Sequence, residues 1–259
     1  MFENSGASIP KPAHPQPDRV RTAWRSLNGT WRFSFDDPTF DRTITVPFSW
    51  TAPLSGIAED KNGTAWYTRT AAFDQGEGNR IFLVFGAVDY ECAVFVNGTQ
   101  VGSHTGGYSR FEFDVTDAWA RTAENEIRVR VTDMDKDDQT YGKQGYGNIR
   151  GIWQTVYLEA RPQGWIGDLR VETFCDGRVR IQCAKNGACG RLSCSFGGIT
   201  AGTDGDTLEF TLPDVRLWSP DDPHLYEGEI RSASGDCLHT YFGVREIGTG
   251  KFGTDAIPY

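Results

Sequence analysis

The sequence predicts an all-β protein: a jelly-roll β-sandwich followed by an immunoglobulin-like β-sandwich. Three observations predict it. Apolar and polar residues alternate with period two along most of the chain, and no stretch of eleven or more residues carries a helical stripe. Turn-forming Asn-Gly pairs punctuate the alternating runs. The composition, 30 Gly and 33 aromatics against 2 Met in 259 residues, suits many strands joined by turns.

In chain order, Met1 to Asp18 reads MFENSGASIPKPAHPQPD, and residues 1–20 are expected to form a Pro-rich flexible arm. Thr30-Trp-Arg-Phe-Ser-Phe35 alternates large apolar with polar residues, as a strand with one buried face must. Further strands are expected at Trp66–Phe73, Ile81–Phe85, Cys92–Val96, Phe111–Val115, Ile127–Val131 and Trp153–Leu158. Turns are expected at Asn28-Gly29, Asn62-Gly63 and Asn97-Gly98; the last, between Val94-Phe-Val96 and Val101, is the clearest hairpin signal. A Thr follows each pair, so all three match the N-glycosylation acceptor pattern, but the turn reading accounts for them. Arg161-Pro-Gln-Gly164 marks a boundary. Beyond it, Asp168–Thr173, Arg178–Cys183, Arg191–Phe196, Thr207–Thr211, Leu225–Arg231 and Leu238–Ile247 make the short, evenly spaced strands of an immunoglobulin-like sandwich. The jelly roll is assigned to 21–161, the second sandwich to 162–248, and a linker stub to 249–259.

Charge and motif content exclude several functions. A net charge of −9 with interspersed signs argues against nucleic acid, whose binding rests on Lys and Arg against phosphate. No apolar run approaches the roughly 18–20 residues that span a bilayer. The start lacks the basic and apolar regions of an export signal, so a cytoplasmic location with reduced thiols is expected. Cys183, Cys189 and Cys194 are not spaced as a zinc knuckle, and His14, His104, His224 and His239 are scattered, so neither a metal nor a triad is indicated. Asp133 to Asp138 (DMDKDD) lacks the Gly and terminal Glu of a calcium loop and reads as a solvated loop. Gly248-Thr-Gly-Lys-Phe-Gly253 matches a dinucleotide fingerprint with no helix to follow it. No cofactor is expected.

An ordered set of segments carries a resemblance. These are Leu27-Asn-Gly-Thr-Trp-Arg-Phe33, Val46-Pro-Phe-Ser-Trp50, Ala65-Trp-Tyr-Thr-Arg69 and Val94-Phe-Val-Asn-Gly98, then Gly106-Gly-Tyr-Ser-Arg-Phe111 with Phe113-Asp-Val-Thr116. Glu124-Asn-Glu-Ile127, Gly151-Ile-Trp-Gln-Thr-Val156, Leu217-Trp-Ser-Pro-Asp-Asp-Pro-His-Leu-Tyr226 and Phe242-Gly-Val-Arg245 complete it. Together they resemble the non-catalytic N-terminal half of the family 2 glycoside hydrolases, the β-galactosidase and β-glucuronidase group. The resemblance implies a sugar-binding jelly roll, an immunoglobulin-like domain and then a catalytic (β/α)₈ barrel of about 250 residues. This chain has no room for that barrel, and is expected to be an N-terminal piece of a longer enzyme.

Retaining glycosidases use two carboxylates, and the resemblance implies that both are Glu on barrel strands, the acid/base Glu after an Asn. Asn125-Glu126 supplies that dipeptide, but in an alternating jelly-roll strand, so no catalytic residue is assigned and the chain alone is expected to be inactive. The resemblance instead implies two loops reaching the substrate pocket, one before Trp66-Tyr67 and one before Gly151-Ile152. Asn62 falls where the galactosidase branch places a sugar-contacting Asn. In the second loop, where those branches carry an acidic residue, this sequence has Lys143, Gln144 and Gly145; Asp137, Asp138, Tyr141, Gln144, Tyr146 and Asn148 offer hydrogen-bonding groups and ring faces. The partners implied are a β-glycoside, the chain's own barrel and a second copy in a homo-oligomer. A stand-alone carbohydrate-binding module and a structural or oligomerisation module remain the alternative readings.

Overall fold

The computed structural model describes residues 9–74, 76, 78–135 and 147–246, with the backbone of 249–252 and 255–258. The chain divides into two units, the first comprising 1–15 and 23–160, the second 16–22 and 161–259. The described residues contain no α-helix, only short 3₁₀ turns at Pro53–Ser55 and Thr116–Ala118.

The first unit is built from β1 (Trp24–Ser26), β2 (Gly29–Phe35), β3 (Arg42–Val46), β4 (Gly63–Ala71), β5 (Arg80–Phe85) and β6 (Val88–Asp89). They are followed by β7 (Glu91–Val96), β8 (Thr99–Thr105), β9 (Phe111–Asp114), β10 (Asn125–Asp133), β11 (Gly151–Ile152) and β12 (Val156–Arg161). A six-stranded sheet, β3-β2-β4-β10-β7-β8, faces a four-stranded one, β1-β12-β5-β9, with β11-β6 as a short third ladder. Alternation sets which residues enter the space between them: along β10, Ile127, Val129 and Val131 are fully buried while Arg130 is exposed. With Phe33, Tyr67 and Val94 they meet Leu83, Phe85, Val156 and Leu158 from the other sheet, closing the jelly-roll core.

The second unit pairs β13 (Trp165–Thr173), β14 (Arg178–Asn186) and β17 (Thr207–Thr211) in one sheet. The other holds β15 (Leu192–Phe196), β16 (Ile199–Thr203), β18 (Tyr226–Ser232) and β19 (Cys237–Phe242), in the order β16-β15-β18-β19. Val179, Ile181 and Leu208 pack against Leu192, Phe196, Ile230 and Leu238 in its core, the arrangement of an immunoglobulin-like sandwich. A last hairpin joins β20 (Thr249–Phe252) to β21 (Asp255–Pro258).

Several local expectations change. Asn97-Gly98 closes the β7-β8 hairpin, with both residues at positive φ (49° and 82°) as a type I′ turn requires. Asn28-Gly29 uses the same letters differently: Asn28 is buried, its amide donates to the Pro10 carbonyl (3.1 Å) and the Thr155 hydroxyl (3.1 Å), and its carbonyl accepts from the Val156 N–H (3.1 Å). That last bond starts β12 at Val156, so the strand expected over Trp153–Leu158 is instead two pieces separated at 153–155. The strand expected to run from Leu238 to Ile247 stops at Phe242, because the chain turns there to give the Val244 carbonyl to the Trp218 N–H (2.8 Å).

The lead-in expected as a flexible arm carries specific contacts. His14 sits edge-on to Trp24 and Tyr157, and Val20 bridges His239 in both directions at 2.9 Å; just after it, Arg21 is buried against Asp236 at 2.8 Å.

Candidate functional site

The two loops singled out from the sequence meet in the first unit. Residues 148–150 lie along 49–51: the Arg150 N–H donates to the Ser49 hydroxyl (2.9 Å), the Trp50 N–H to the Arg150 carbonyl (3.2 Å), and the Thr51 hydroxyl to the Asn148 carbonyl (2.8 Å). Trp50 is fully buried and carries the other loop as well, its indole N–H donating to the Lys61 carbonyl (3.0 Å) and its carbonyl accepting from Glu59 (3.1 Å). Gly151 follows at φ +81°, where an added Cβ would lie 2.1 Å from the Tyr67 phenol oxygen and 2.6 Å from Trp50 Cε3. Only glycine lets the chain pass there. Tyr67 is in turn fixed by accepting from the Ile152 N–H (3.4 Å), and burial pushes its phenol pKa above the ordinary value.

Arg150 is the centre of the cluster. Its side chain is 2% exposed and its guanidinium pairs with Asp60 (3.0 Å), Asp133 (3.1 Å) and Asp135. The outer carboxylates hold the two amides: Asn62 donates to Asp135 at 3.0 Å, and Asn148 to Asp60 at 3.2 Å. Burial alone would lower the arginine pKa, but hydrogen bonds with Asp135 and Asp60 and the charge of Asp133 hold it above its usual value. Asp135 is kept below the ordinary carboxylate value by its hydrogen bonds from Arg150 and Asn62. Asp133 is raised, burial outweighing the attraction of Arg150. The reading of Asp133–Asp138 as a solvated loop is therefore corrected at its start, since Asp133 ends β10 as a buried partner of Arg150.

Asp89, whose backbone pairs with Gly151, is pushed up to about 6 by burial and by the Asp133 charge, against the pull of Arg150. The sign for stability follows from linkage. A carboxyl whose folded pKa is raised binds its proton more tightly in the native state, so stability is fullest below the unfolded value near 4 and falls as pH climbs to about 6. Asp89→Asn should remove that fall, gaining on the order of 2 kcal/mol over wild type at pH 7 and almost nothing at pH 3.5. Urea unfolding at the two pH values checks this, and an equal effect at both would refute it.

Asn62 and Asn148 are thus brought together through Asp135, Arg150 and Asp60; Asp137, Asp138, Tyr141, Gln144 and Tyr146 lie outside the described residues. Sequence reading missed Arg150, Asp60 and Asp135. It also passed over Tyr108, 74% exposed and edge-on to Trp153 at 5.6 Å. Asn125-Glu126 is structural: Asn125 is fully buried, its amide carbonyl accepting from the Ala120 N–H (2.7 Å) and its amide N–H donating to the carbonyls of Ala120 and Ala123, while Glu126 accepts from Arg128. Trp31 and Trp119 are buried in the core with their indole N–H groups on backbone carbonyls, consistent with packing. No helix among the described residues is long and apolar enough to cross a membrane.

The chain as a whole is similar to known proteins. Residues 45–162 match the family model described as glycosyl hydrolases family 2, sugar binding domain, and 175–245 match the model glycosyl hydrolases family 2. Among curated proteins, the chain is 25% identical to a β-glucuronidase of Paenibacillus borealis over 89% of its own length and 46% of the relative's. It is 27% identical to a β-galactosidase of Thermoanaerobacter pseudethanolicus, over 88% and 34%. Among solved structures, a β-glucuronidase of an uncultured Clostridium superposes with a TM-score of 0.73 at 23% identity, covering 92% of this chain and 47% of that one. The chain therefore spans less than half the length of each of these relatives.

Proposed function

Because the chain belongs to glycosyl hydrolase family 2, with a sugar-binding domain and a second family domain in order, we propose that it is the non-catalytic N-terminal part of a retaining exo-β-glycosidase. Its substrate would be a β-glucuronide or β-galactoside, the two activities named among its relatives. In this reading it serves as scaffold for a catalytic barrel and supplies part of the rim of the substrate pocket.

One observation carries the reading: the loops before β4 and β11 converge on a buried arginine that holds Asn62 and Asn148 in place. Such a rim binds rather than cleaves. Retaining hydrolysis needs a nucleophilic carboxylate and a protonated acid about 5–5.5 Å apart across the scissile bond. Here Asp60, Asp133 and Asp135 are spent on Arg150, while the two amides can still turn donors and acceptors to sugar hydroxyls.

The test uses the complete gene product. Reading the frame past Tyr259 should reveal a (β/α)₈ barrel with Asn-Glu at a strand end; a stop codon there overturns the proposal. In that enzyme, Asn62→Ala and Asn148→Ala should each lower kcat/KM by roughly 3- to 10-fold, the worth of one lost neutral hydrogen bond to substrate. Unchanged kcat/KM in both would remove the rim role.

A further inference from the structure

We propose that Glu229, Cys237 and His239 form a binding site for a zinc-class divalent cation on the outer face of the second unit. Nothing in the spacing of the cysteines indicates it, because the site is made by strand pairing. In the β18-β19 ladder Glu229 lies directly opposite His239, and Cys237 is two residues before His239 on the same face. Their neighbours Ile230 and Leu238 point the other way, into the core.

The donor geometry supports the assignment. The ligand atoms of the three residues lie within 4.8 Å of one another, and Cys237 Sγ is 3.6 Å from Glu229 Oε2. Metal–ligand lengths of about 2.3 Å to sulfur and 2.0 Å to oxygen at a tetrahedral angle set that edge at about 3.5 Å. The thiol and carboxylate are therefore already spaced as two vertices, and the imidazole needs to close by at most about 1.5 Å. The backbone beneath is fixed on both sides: His239 exchanges hydrogen bonds with Val20 at 2.9 Å and sits in the β18 ladder. Arg231 donates to both Glu229 oxygens (2.6 and 2.9 Å), so the cation competes with this surface ion pair for Oε2, and the carboxylate keeps Oε1 on Arg231 when the metal binds.

One thiolate, one imidazole and one carboxylate suit zinc, or cobalt as its spectroscopic substitute, and not calcium or magnesium, which take oxygen ligands. Three protein ligands leave the fourth position to water. On binding, the Cys237 S–H bond breaks, the metal–sulfur bond forms and the proton passes to solvent.

Cobalt(II) titration of the phosphine-reduced chain tests this. We expect one cobalt per chain, with a thiolate-to-cobalt charge-transfer band in the near ultraviolet, displaced stoichiometrically by zinc. Cys237→Ser should abolish the band, and His239→Ala and Glu229→Gln should each weaken binding by about tenfold or more. Cys175→Ser, which alters the other half-buried thiol, should leave it intact. His239 is exposed, so its variant should keep the wild-type circular dichroism spectrum and unfolding midpoint. No band up to millimolar cobalt, or a band that persists in Cys237→Ser, or affinity unchanged in both His239→Ala and Glu229→Gln, would each overturn the site.

Discussion

Gly151→Ala should destabilise the first unit by roughly 3–5 kcal/mol, or prevent its folding, through positive-φ strain and overpacking together. The position is at φ +81°, and the new methyl would meet the Tyr67 oxygen and the Trp50 ring, both on fully buried side chains with nowhere to retreat. Moving Tyr67 would also break its bond from Ile152, and moving the Trp50 ring would release the Lys61 carbonyl. Gly98 supplies the control. It has nearly the same φ, +82°, but nothing within 4 Å of an added Cβ. Gly98→Ala should therefore cost only the conformational part, about 1–2 kcal/mol. Because two units unfold, the effect should be read in the first unit's own transition or by amide exchange in β4 and β10. Equal losses at the two glycines would show that close packing around Gly151 is not what matters.

Arg150→Met should cost on the order of 3 kcal/mol at pH 7, because it leaves the buried Asp133 without its cation. The exposed Asp60 and Asp135 contribute little to this figure, since water can solvate them once released. The loss should depend on pH. Without Arg150, Asp133 and Asp89 titrate still higher in the folded state, so the variant loses stability as pH rises from about 4 towards neutrality. The gap to wild type should accordingly shrink at pH 4. Arg150→Lys should fall between the two, because one ammonium cannot hold the three carboxylates as the planar fork does. Urea melts across pH 4–7 check both points; a pH-independent gap would mean that the arginine acts by packing alone.

How far the sequence reaches can be judged from particular residues. Sheet membership was legible wherever alternation was strong, as in β2, β10 and β14, because period two decides which side chains are buried. Asn97-Gly98 and Asn28-Gly29 show the limit of local signals. The pair is identical, and what separates a hairpin turn from a buried bridge is the distant Pro10, Thr155 and Val156 around Asn28. The pairing of the loop that carries Asn62 with the one that ends at Gly151 was legible through the resemblance. Its organiser was not, because Arg150 is an ordinary arginine in Asn148-Ile-Arg-Gly151 until β4, β10 and the 49–62 loop bring Asp133, Asp135 and Asp60 to it. Glu229, Cys237 and His239 escaped for the same reason, since only the β18-β19 register puts the glutamate beside the other two.

Incubating the purified chain with chromogenic β-glucuronide and β-galactoside tests most sharply its proposed role as a binding and scaffolding part of a glycosidase. No turnover above buffer is expected, since Asp60, Asp133 and Asp135 are engaged by Arg150. Hydrolysis that co-purifies with the chain and disappears in Arg150→Met or Asn62→Ala would contradict it.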